Sequence, residues 1–287
     1  MSRRCSEHRS YTCAMRTRLV HSDIVVFTSV AWKTTCTAIR SGDQTLLVDS
    51  LIFPEELSAV PDLLRQHGFE TEGIRLFTTH ADWDHIMGPL MFPEAPLWCG
   101  ESSAERLAGD PNELARDLLG FDEMFYVERP GLPSLDRLEP VSVPGQVGFG
   151  EERIELLQAD GHTADGTAAW LPGVKLLLAG DYVSPVELPR LRGSLEANLE
   201  TLDRLEGPVS AAELVIPGHG YPISREVALR VLTEDRAYLH QLKEVGEDAA
   251  LPAGRDDAEQ QRIHRDMNVP TAEGRPIKGL AGGNLPG

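Results

Sequence analysis

A short segment of the chain contains four potential metal ligands within six consecutive positions: His80, Asp82, Asp84 and His85. It directly follows an apolar run, residues 74–78, that is typical of a buried strand. Buried imidazoles and carboxylates cost free energy unless a partner compensates them, and a divalent cation is the usual partner. The segment therefore predicts a metalloenzyme.

Three further residues that can bind a metal also follow apolar runs: His162, Asp181 and His219. Glycines adjoin each of them and allow the backbone to turn sharply at these points. In layered α/β folds, functional groups gather at the ends of strands, where the rigid sheet positions the loops. We therefore expect the four histidines and three aspartates to converge in one site.

The order of these residues along the chain is a second observation. The chain has His-x-Asp-x-Asp-His at 80–85, Gly-His-Thr at 161–163, Gly-Asp at 180–181 and Pro-Gly-His-Gly at 217–220. Over roughly residues 23–245 this series resembles the metallo-β-lactamase-fold hydrolase superfamily, in particular its glyoxalase II-like and lactonase-like branches. The resemblance implies an α/β fold, arranged as a four-layer αββα sandwich.

The resemblance also implies two divalent metal ions and a ligand set for each. The first ion would be held by His80, Asp82 and His162. The second ion would be held by Asp84, His85 and His219, with Asp181 bridging the two ions.

Asp82 departs from the family pattern, which has a second histidine at this position. A carboxylate adds a negative charge and is a harder ligand than imidazole, which favours manganese or iron relative to zinc. It should also leave a metal-bound water less acidic than in an all-histidine site. We expect zinc, with manganese or iron allowed by Asp82. Alternatively, Asp82 turns away and a single metal binds at the other position.

Metal-assisted hydrolysis is the mechanism that the resemblance implies, with an activated water attacking a carbonyl or phosphoryl centre. Asp84 is then a candidate to accept a proton from that water or to orient it. Tyr182 and Tyr221 closely follow two of the ligands and are candidates to donate to the substrate. Trp83, between two ligands, is expected to pack beneath the site.

The elements that deliver these residues are predicted from short β-rich runs and from helical spacing of apolar residues. The predicted strands cover residues 24–27, 35–39, 45–49, 74–79, 138–143, 153–157, 167–171, 174–179 and 213–216. The predicted helices cover residues 55–67, 194–206 and 224–245, and residues 100–135 are expected to be helical and rich in loops.

Three regions follow from this pattern. Residues 1–22 lack a hydrophobic core segment and are expected to be a disordered N-terminal extension. Residues 23–246 form the predicted catalytic domain. Residues 247–287 are rich in proline, glycine and charge and are expected to be a partly mobile C-terminal extension.

Composition restricts the partners and the compartment. The formal net charge of −18 argues against a nucleic-acid partner, because phosphate binding requires a basic face. No apolar run is long enough to span a membrane. The four cysteines form no Cys-x-x-Cys pair and suggest no disulfide framework, so a cytoplasmic location is expected. We expect a small-molecule substrate, and a homodimer is compatible with the sequence.

The leading hypothesis is a hydrolase that acts on a small or medium acyl substrate, namely a thioester, a lactone or an ester. The alternative is a di-iron protein that reacts with oxygen or nitric oxide, because the related flavodiiron proteins place a carboxylate where this chain has Asp82. A persulfide dioxygenase with one iron is a weaker third hypothesis. A binding module with a degraded site is disfavoured, because all seven positions carry residues able to bind metal.

Overall fold

Two mixed β-sheets lie at the centre of the part of the chain that the structure, a computed structural model, describes: residues 15–277. The strands of the first sheet follow chain order: β1 (Arg16–His21), β2 (Ile24–Thr28), β3 (Thr35–Ser41), β4 (Gln44–Val48), β5 (Arg75–Phe77), β6 (Leu97–Gly100) and β7 (Leu138–Val141). Strands β1 to β4 are antiparallel, whereas β4 to β7 pair in parallel. The carboxyl ends of β4 and β5 therefore meet at one edge.

The strands of the second sheet are β8 (Gly145–Phe149), β9 (Glu152–Gln158), β10 (Thr167–Leu171), β11 (Leu176–Gly180), β12 (Leu214–Pro217) and β13 (Ile223–Ser224). They lie in the order β13-β12-β11-β10-β9-β8. Only β11 and β12 pair in parallel, and the other neighbours are antiparallel. Strands β11 and β12 consequently end side by side, as β4 and β5 do.

The helices cover the outer faces of the two sheets. They are α1 (Pro54–Gln66), α2 (Gly88–Met91), α3 (Glu101–Gly109), α4 (Glu113–Phe125), α5 (Leu195–Ala211), α6 (Arg225–Val245), α7 (Ala258–Ile263) and α8 (Val269–Ala272). Apolar residues of α1 and α4 pack on the first sheet, and those of α5 and α6 pack on the second. The αββα sandwich is confirmed.

Strand β2 shows why the first sheet is buried on both faces. Ile24 and Val26 point into the cluster between the two sheets, whereas Val25 and Phe27 point into the cluster under the helices. Alternate residues of a strand face opposite sides of the sheet, so an unbroken apolar run fits a strand covered on both sides. The apolar runs of the sequence are therefore the central strands of the sandwich.

The N-terminal expectation needs correction for the residues that the structure describes. Arg16 to His21 form β1, which pairs antiparallel with β2 instead of being disordered. The strand is mostly exposed, and its ladder of backbone hydrogen bonds rather than apolar burial places it. The sequence of β1 therefore lacks the apolar pattern by which a buried strand is recognised. Residues 1–14 of the predicted extension lie outside the described residues.

Residues 247–277 of the predicted C-terminal extension carry α7 and α8 and pack on the second half of the chain, which their composition did not predict. Within them, residues 255–271, here called the C-terminal strap, bind the backbone of the loop 184–191. Side chains of the strap hydrogen-bond Glu187 O at 3.0 Å, Leu188 N at 2.8 Å, Pro189 O at 2.7 Å and Leu191 O at 2.9 Å. Residues 278–287 lie outside the described residues.

Helix α5 continues beyond the stop that the Gly207-Pro208 pair predicts. It runs to Ala211 with Pro208 inside it. Proline removes one backbone donor. The helix nevertheless continues because Val209 is buried in the same apolar cluster as Leu202 and Leu205. None of the helices among residues 15–277 has the length and hydrophobicity needed to cross a bilayer.

Candidate metal centre

The turn after β5 carries four of the predicted ligands, and its backbone is fixed by two neighbouring side chains. The Thr78 hydroxyl donates to the carbonyl of His80 at 2.7 Å and lies 3.3 Å from that of His85. Asp49, directly after β4, accepts hydrogen bonds from Thr79 N at 2.8 Å and from the Thr79 hydroxyl at 3.0 Å. The parallel pairing of β4 with β5 brings Asp49 to this turn.

The second sheet supplies the other three residues at the same edge of the sandwich. His162 follows β9, Asp181 follows β11 and His219 follows β12. Hydrogen bonds join the two sheets at this edge, from Thr35 N to Gly218 O at 2.7 Å and from Thr167 N to Thr79 O at 2.8 Å. The structure therefore brings all seven predicted residues together.

The first group of side chains surrounds the position predicted for the first ion. His80 Nε2 lies 3.9 Å from Asp181 Oδ2, and His162 Nε2 lies 3.3 Å from the same oxygen. Asp82 Oδ2 is 3.7 Å from His80 Nε2 and 3.5 Å from His162 Nε2. The Oδ2 atom of Asp82 thus faces both imidazoles.

The ligand atoms of the second group lie closer together than those of the first. Asp84 Oδ2 lies 3.6 Å from His85 Nε2 and 3.5 Å from His219 Nε2. The two imidazole Nε2 atoms are 3.3 Å apart. Asp181 Oδ1 is 3.3 Å from His85 Nε2, and Asp181 Oδ2 is 3.3 Å from His219 Nε2. Asp181 therefore lies between the two groups, as a bridging ligand would.

These separations fit divalent metal ions. Metal–ligand bonds of about 2.1 Å in tetrahedral geometry place the ligand atoms about 3.4 Å apart. His80 Nε2, His162 Nε2 and Asp181 Oδ1 are buried atoms that have no hydrogen-bond partner among the described residues. Unsatisfied buried polar atoms are rare and call for a specific explanation. A pair of cations would satisfy these atoms and balance the charge of the carboxylates.

Each histidine is also oriented from behind, through the ring nitrogen that points away from the centre. The contacts of these Nδ1 atoms are Thr79 Oγ1 at 3.0 Å for His80, Arg190 O at 2.9 Å for His162 and Trp32 O at 3.2 Å for His219. Asp49 Oδ2 lies 3.2 Å from His85 Nδ1 as a charge contact, without the geometry of a hydrogen bond. Such outer contacts fix the tautomer and the ring orientation of metal-binding histidines. All four Nε2 atoms consequently point inward.

Asp82 has partners that the sequence did not predict. Arg106 donates to its Oδ1 atom at 2.8 Å, and Arg192 donates to its Oδ2 atom at 2.9 Å. Burial opposes ionisation of Asp82, but Arg192 and the two imidazoles outweigh it and hold the pKa of the carboxyl well below its usual range. Asp82 is therefore a carboxylate whose charge two guanidinium groups offset.

Arg106 is itself part of a network of carboxylates. It donates to Asp165 Oδ1 at 2.9 Å and to Glu113 Oε1 at 2.7 Å, in addition to Asp82. The other oxygen of Asp165 accepts from Ala81 N at 2.8 Å and from the Ser103 hydroxyl at 3.0 Å. Asp165 and Arg106 thus fix the backbone of the turn that carries the ligands.

Other groups in the centre have strongly shifted pKa values. Burial opposes the charge of Asp181, yet the four surrounding histidines hold the pKa of this carboxyl well below its usual range. Burial would lower the pKa of His219, but Asp181, together with Glu187 and Asp84, outweighs burial and raises that pKa to about 9. Perturbed groups clustered in one place are typical of functional sites.

The two tyrosines occupy different environments. The Tyr182 hydroxyl accepts hydrogen bonds from Gly161 N at 2.7 Å and His162 N at 2.5 Å, and donates its proton to Ala159 O at 2.8 Å. This contradicts the prediction that Tyr182 donates to a substrate, because its only proton is already used. Tyr182 instead shapes the loop that carries His162. Tyr221 is 46% exposed, and its role stays a prediction.

Trp83 packs beneath the site as expected, with its ring centroid 5.6 Å from that of Trp32 and 4.7 Å from that of Phe121.

The sequence did not predict four residues that contact the site: Asp49, Arg106, Asp165 and Arg192. An acidic residue directly after a strand was a usable signal for Asp49. Nothing in the local sequence distinguishes Arg192, whose partner Asp82 lies 110 positions away.

Comparisons of the sequence point to one family. The sequence profile of the metallo-beta-lactamase superfamily matches residues 30–219 of this chain. The Metallo-beta-lactamase IND-1 of Chryseobacterium indologenes is 31% identical over 98 residues, which is 33% of this chain. The match spans 41% of that relative, so the chain covers about two fifths of its length.

Solved structures share the fold. A metallo-beta-lactamase family protein from Thermus thermophilus has a TM-score of 0.64 at 19% identity, covering 89% of this chain and 91% of that one. A stereoselective inverting sec-alkylsulfatase from Pseudomonas sp. has a TM-score of 0.66 at 16% identity, covering 90% of this chain and 49% of that one.

The solved structures, at such identities, show the fold alone, and the glyoxalase II-like or lactonase-like branch stays a prediction. The family assignment rests on the profile match, which includes all seven residues of the centre. The fold and the candidate ligand groups also suggest that divalent metal ions bind here. The chain belongs to the metallo-beta-lactamase superfamily.

Proposed function

We propose that this chain is a hydrolase that uses two divalent metal ions, preferably zinc, on a small or medium acyl substrate. The observation that carries the proposal is the convergence of seven buried or nearly buried side chains whose inward-facing atoms lie 3.3–3.9 Å from their neighbours. Three of those atoms have no other partner among residues 15–277. Folding alone gives no reason to collect such groups.

Metal ions bound there would supply an acidified water and positive charge to stabilise a developing oxyanion. The contribution of the protein is to position the groups that act on that water. Among the described residues, Asp84 pairs only with His85 and His219, through its Oδ2 atom. Its other oxygen is therefore available to accept a proton from the water or to orient it, as general-base catalysis requires.

Two exposed apolar residues on segments that contact His219 support an acyl substrate. Val30 is 54% exposed and Tyr221 is 46% exposed. Both lie on segments joined to His219, since the carbonyl of Trp32 contacts its imidazole and the carbonyl of Lys33 accepts from Gly220 N at 2.8 Å. Exposed apolar groups next to a polar centre are typical of a site that binds an organic substrate.

Metal analysis followed by a substrate panel tests this proposal. The purified protein and metal-replete protein would be assayed for bound elements, and then for hydrolysis of thioesters, lactones, carboxylic esters and phosphodiesters. A β-lactam and a secondary alkyl sulfate belong in the panel, because the fold relatives include enzymes named for these substrates. We expect zinc and acyl hydrolysis. Protein that binds no divalent metal, or loaded protein inert to every acyl substrate, would contradict the proposal.

A di-iron protein that reacts with oxygen or nitric oxide is the second candidate, and one observation favours it. Asp82 Oδ2 faces His80 and His162, so the first group offers a harder donor set than an all-histidine site. A visible spectrum of the purified protein separates the two candidates. Bound iron with oxygen or nitric oxide consumption would favour the second, whereas zinc or manganese with ester hydrolysis would favour the first.

A further inference from the structure

Arg192 lies where it opposes a cation at the first position. Its guanidinium donates to Asp82 Oδ2 at 2.9 Å, and this is the same oxygen that faces His80 and His162. A divalent ion bound by those imidazoles would share this oxygen with Arg192. Like charges so close together in a buried site repel strongly. The guanidinium therefore balances the negative charge of Asp82, as a bound ion would.

The two arginines at Asp82 differ in how firmly they are held. Arg106 pairs with three carboxylates and donates to Asp82 Oδ1, which fixes the orientation of the carboxylate. Arg192 pairs with Asp82 alone among the described residues, and its buried Nε atom has no acceptor there. Removing the Arg192 side chain would thus leave Asp82 oriented while freeing its Oδ2 atom.

The backbone places Arg192 directly beside the first group. Arg192 N donates to His162 O at 3.2 Å, and the carbonyl of Arg190 contacts the His162 ring at 2.9 Å. The C-terminal strap holds the adjoining Leu191 from the other side. The main chain at Arg192 is consequently fixed, so a change in its ion pairing involves the side chain alone.

The second group differs from the first in this respect. Within residues 15–277, Asp84 pairs only with His85 and His219, and no guanidinium contacts its carboxylate. An ion at the second position therefore meets no such competitor.

We propose that Arg192 controls metal loading, by competing with the ion for Asp82 at the first position. The second position then fills first, and the first position fills only at higher metal concentration. This inference rests on the proposed metal centre and adds to it an order of loading. It makes Arg192 a positioning residue that acts through Asp82.

Calorimetric titration of zinc into chelator-treated full-length protein tests the proposal. We expect two binding events in the unaltered chain, with affinities that differ by about tenfold or more. In His162→Ala only the tighter event should remain, which assigns the weaker event to the first position. Arg192→Gln should strengthen the weaker event by about tenfold or more, and Arg192→Lys should change it less, since the charge is kept.

Arg137→Gln is the control for the loss of one positive charge, since Arg137 pairs with Glu94 on the surface. Circular dichroism would verify that each variant is folded.

Two equal binding events in the unaltered chain would overturn the proposal, as would an Arg192→Gln variant whose weaker event is unchanged or weaker still. A protein that binds no zinc at all would contradict the metal centre itself, which is a different failure. Two unequal events in a protein without hydrolytic activity would support the loading order and contradict the proposed reaction.

Discussion

Gly218 gives the sharpest test of the proposed metal centre, because a single methyl group placed there would collide with Asp181, the carboxylate proposed to bridge the two ions. A Cβ atom at this position would lie 2.2 Å from Asp181 Oδ1 and 3.0 Å from His85 Cε1. The backbone of Gly218 is held by hydrogen bonds from Gly218 N to Gly180 O at 2.6 Å and from Thr35 N to Gly218 O at 2.7 Å. The backbone cannot easily yield, so the carboxylate must move.

The size of the effect follows from this geometry. Non-bonded heavy atoms prefer separations of about 3.5 Å, so Asp181 Oδ1 must shift by about 1 Å. A misplacement of about 1 Å in a catalytic constellation can cost about 100-fold in rate, which is about 2.7 kcal/mol of transition-state stabilisation. Overpacking typically costs a further 1–3 kcal/mol or so of folding stability. For Gly218→Ala we therefore expect about 100-fold lower kcat/KM and a lower Tm.

The assay combines kcat/KM, metal content and thermal unfolding of Gly218→Ala, with Gly207→Ala as the matched control. A Cβ atom at Gly207, inside α5, would meet nothing within 4 Å. Replacing a helical glycine by alanine should raise stability by about 0.5–1 kcal/mol and leave metal binding unchanged. A Gly218→Ala variant with the metal content and activity of the control would refute the bridging position of Asp181.

Three further predictions concern groups around the centre. Asp49→Asn should weaken metal binding by roughly 10–100-fold, because it alters the contact behind His85. Competition with a chromophoric chelator would measure the affinity, and an unchanged affinity would show that Asp49 does not support His85 in metal binding. Tyr182→Phe should lower stability by about 1–3 kcal/mol through unsatisfied backbone donors, while kcat of the folded protein stays within severalfold; a large loss of kcat at unchanged Tm would restore a catalytic role. Chelation should lower the Tm of the unaltered protein, and added zinc should restore it. Asp181→Ala should bind little metal and have no activity, and neither chelation nor added zinc should change its Tm.

The candidate metal ligands could be recognised because they follow the ends of strands. Short apolar runs place His162, Asp181 and His219 directly after strands, and β11 and β12 are neighbours that run in parallel. Apolar patterning also predicts the central strands, since each one is buried on both faces. The strand-end positions of these residues are thus local signals of the sequence, whereas the αββα arrangement and the ligand set of each ion were implied by the family resemblance.

The parts that could not be predicted depend on polar contacts between distant segments. Arg255 is buried and binds backbone carbonyls some 70 positions away, and Asn268 binds Pro189 and Leu191 in the same manner. The residue type of an arginine or asparagine does not reveal whether its side chain is buried. The proline, glycine and charged residues around these two positions favour disorder by composition. The same reason hides the pairing of Arg192 with Asp82.

The C-terminal strap has a consequence for which residues near the candidate metal centre can vary. Its hydrogen bonds to the loop 184–191 go to main-chain atoms and do not depend on the identity of the side chains of that loop. Residues of this loop could therefore be exchanged during evolution or engineering without loss of these anchoring bonds. Because the strap binds the peptide groups of the loop, the side-chain chemistry beside the centre is free to change.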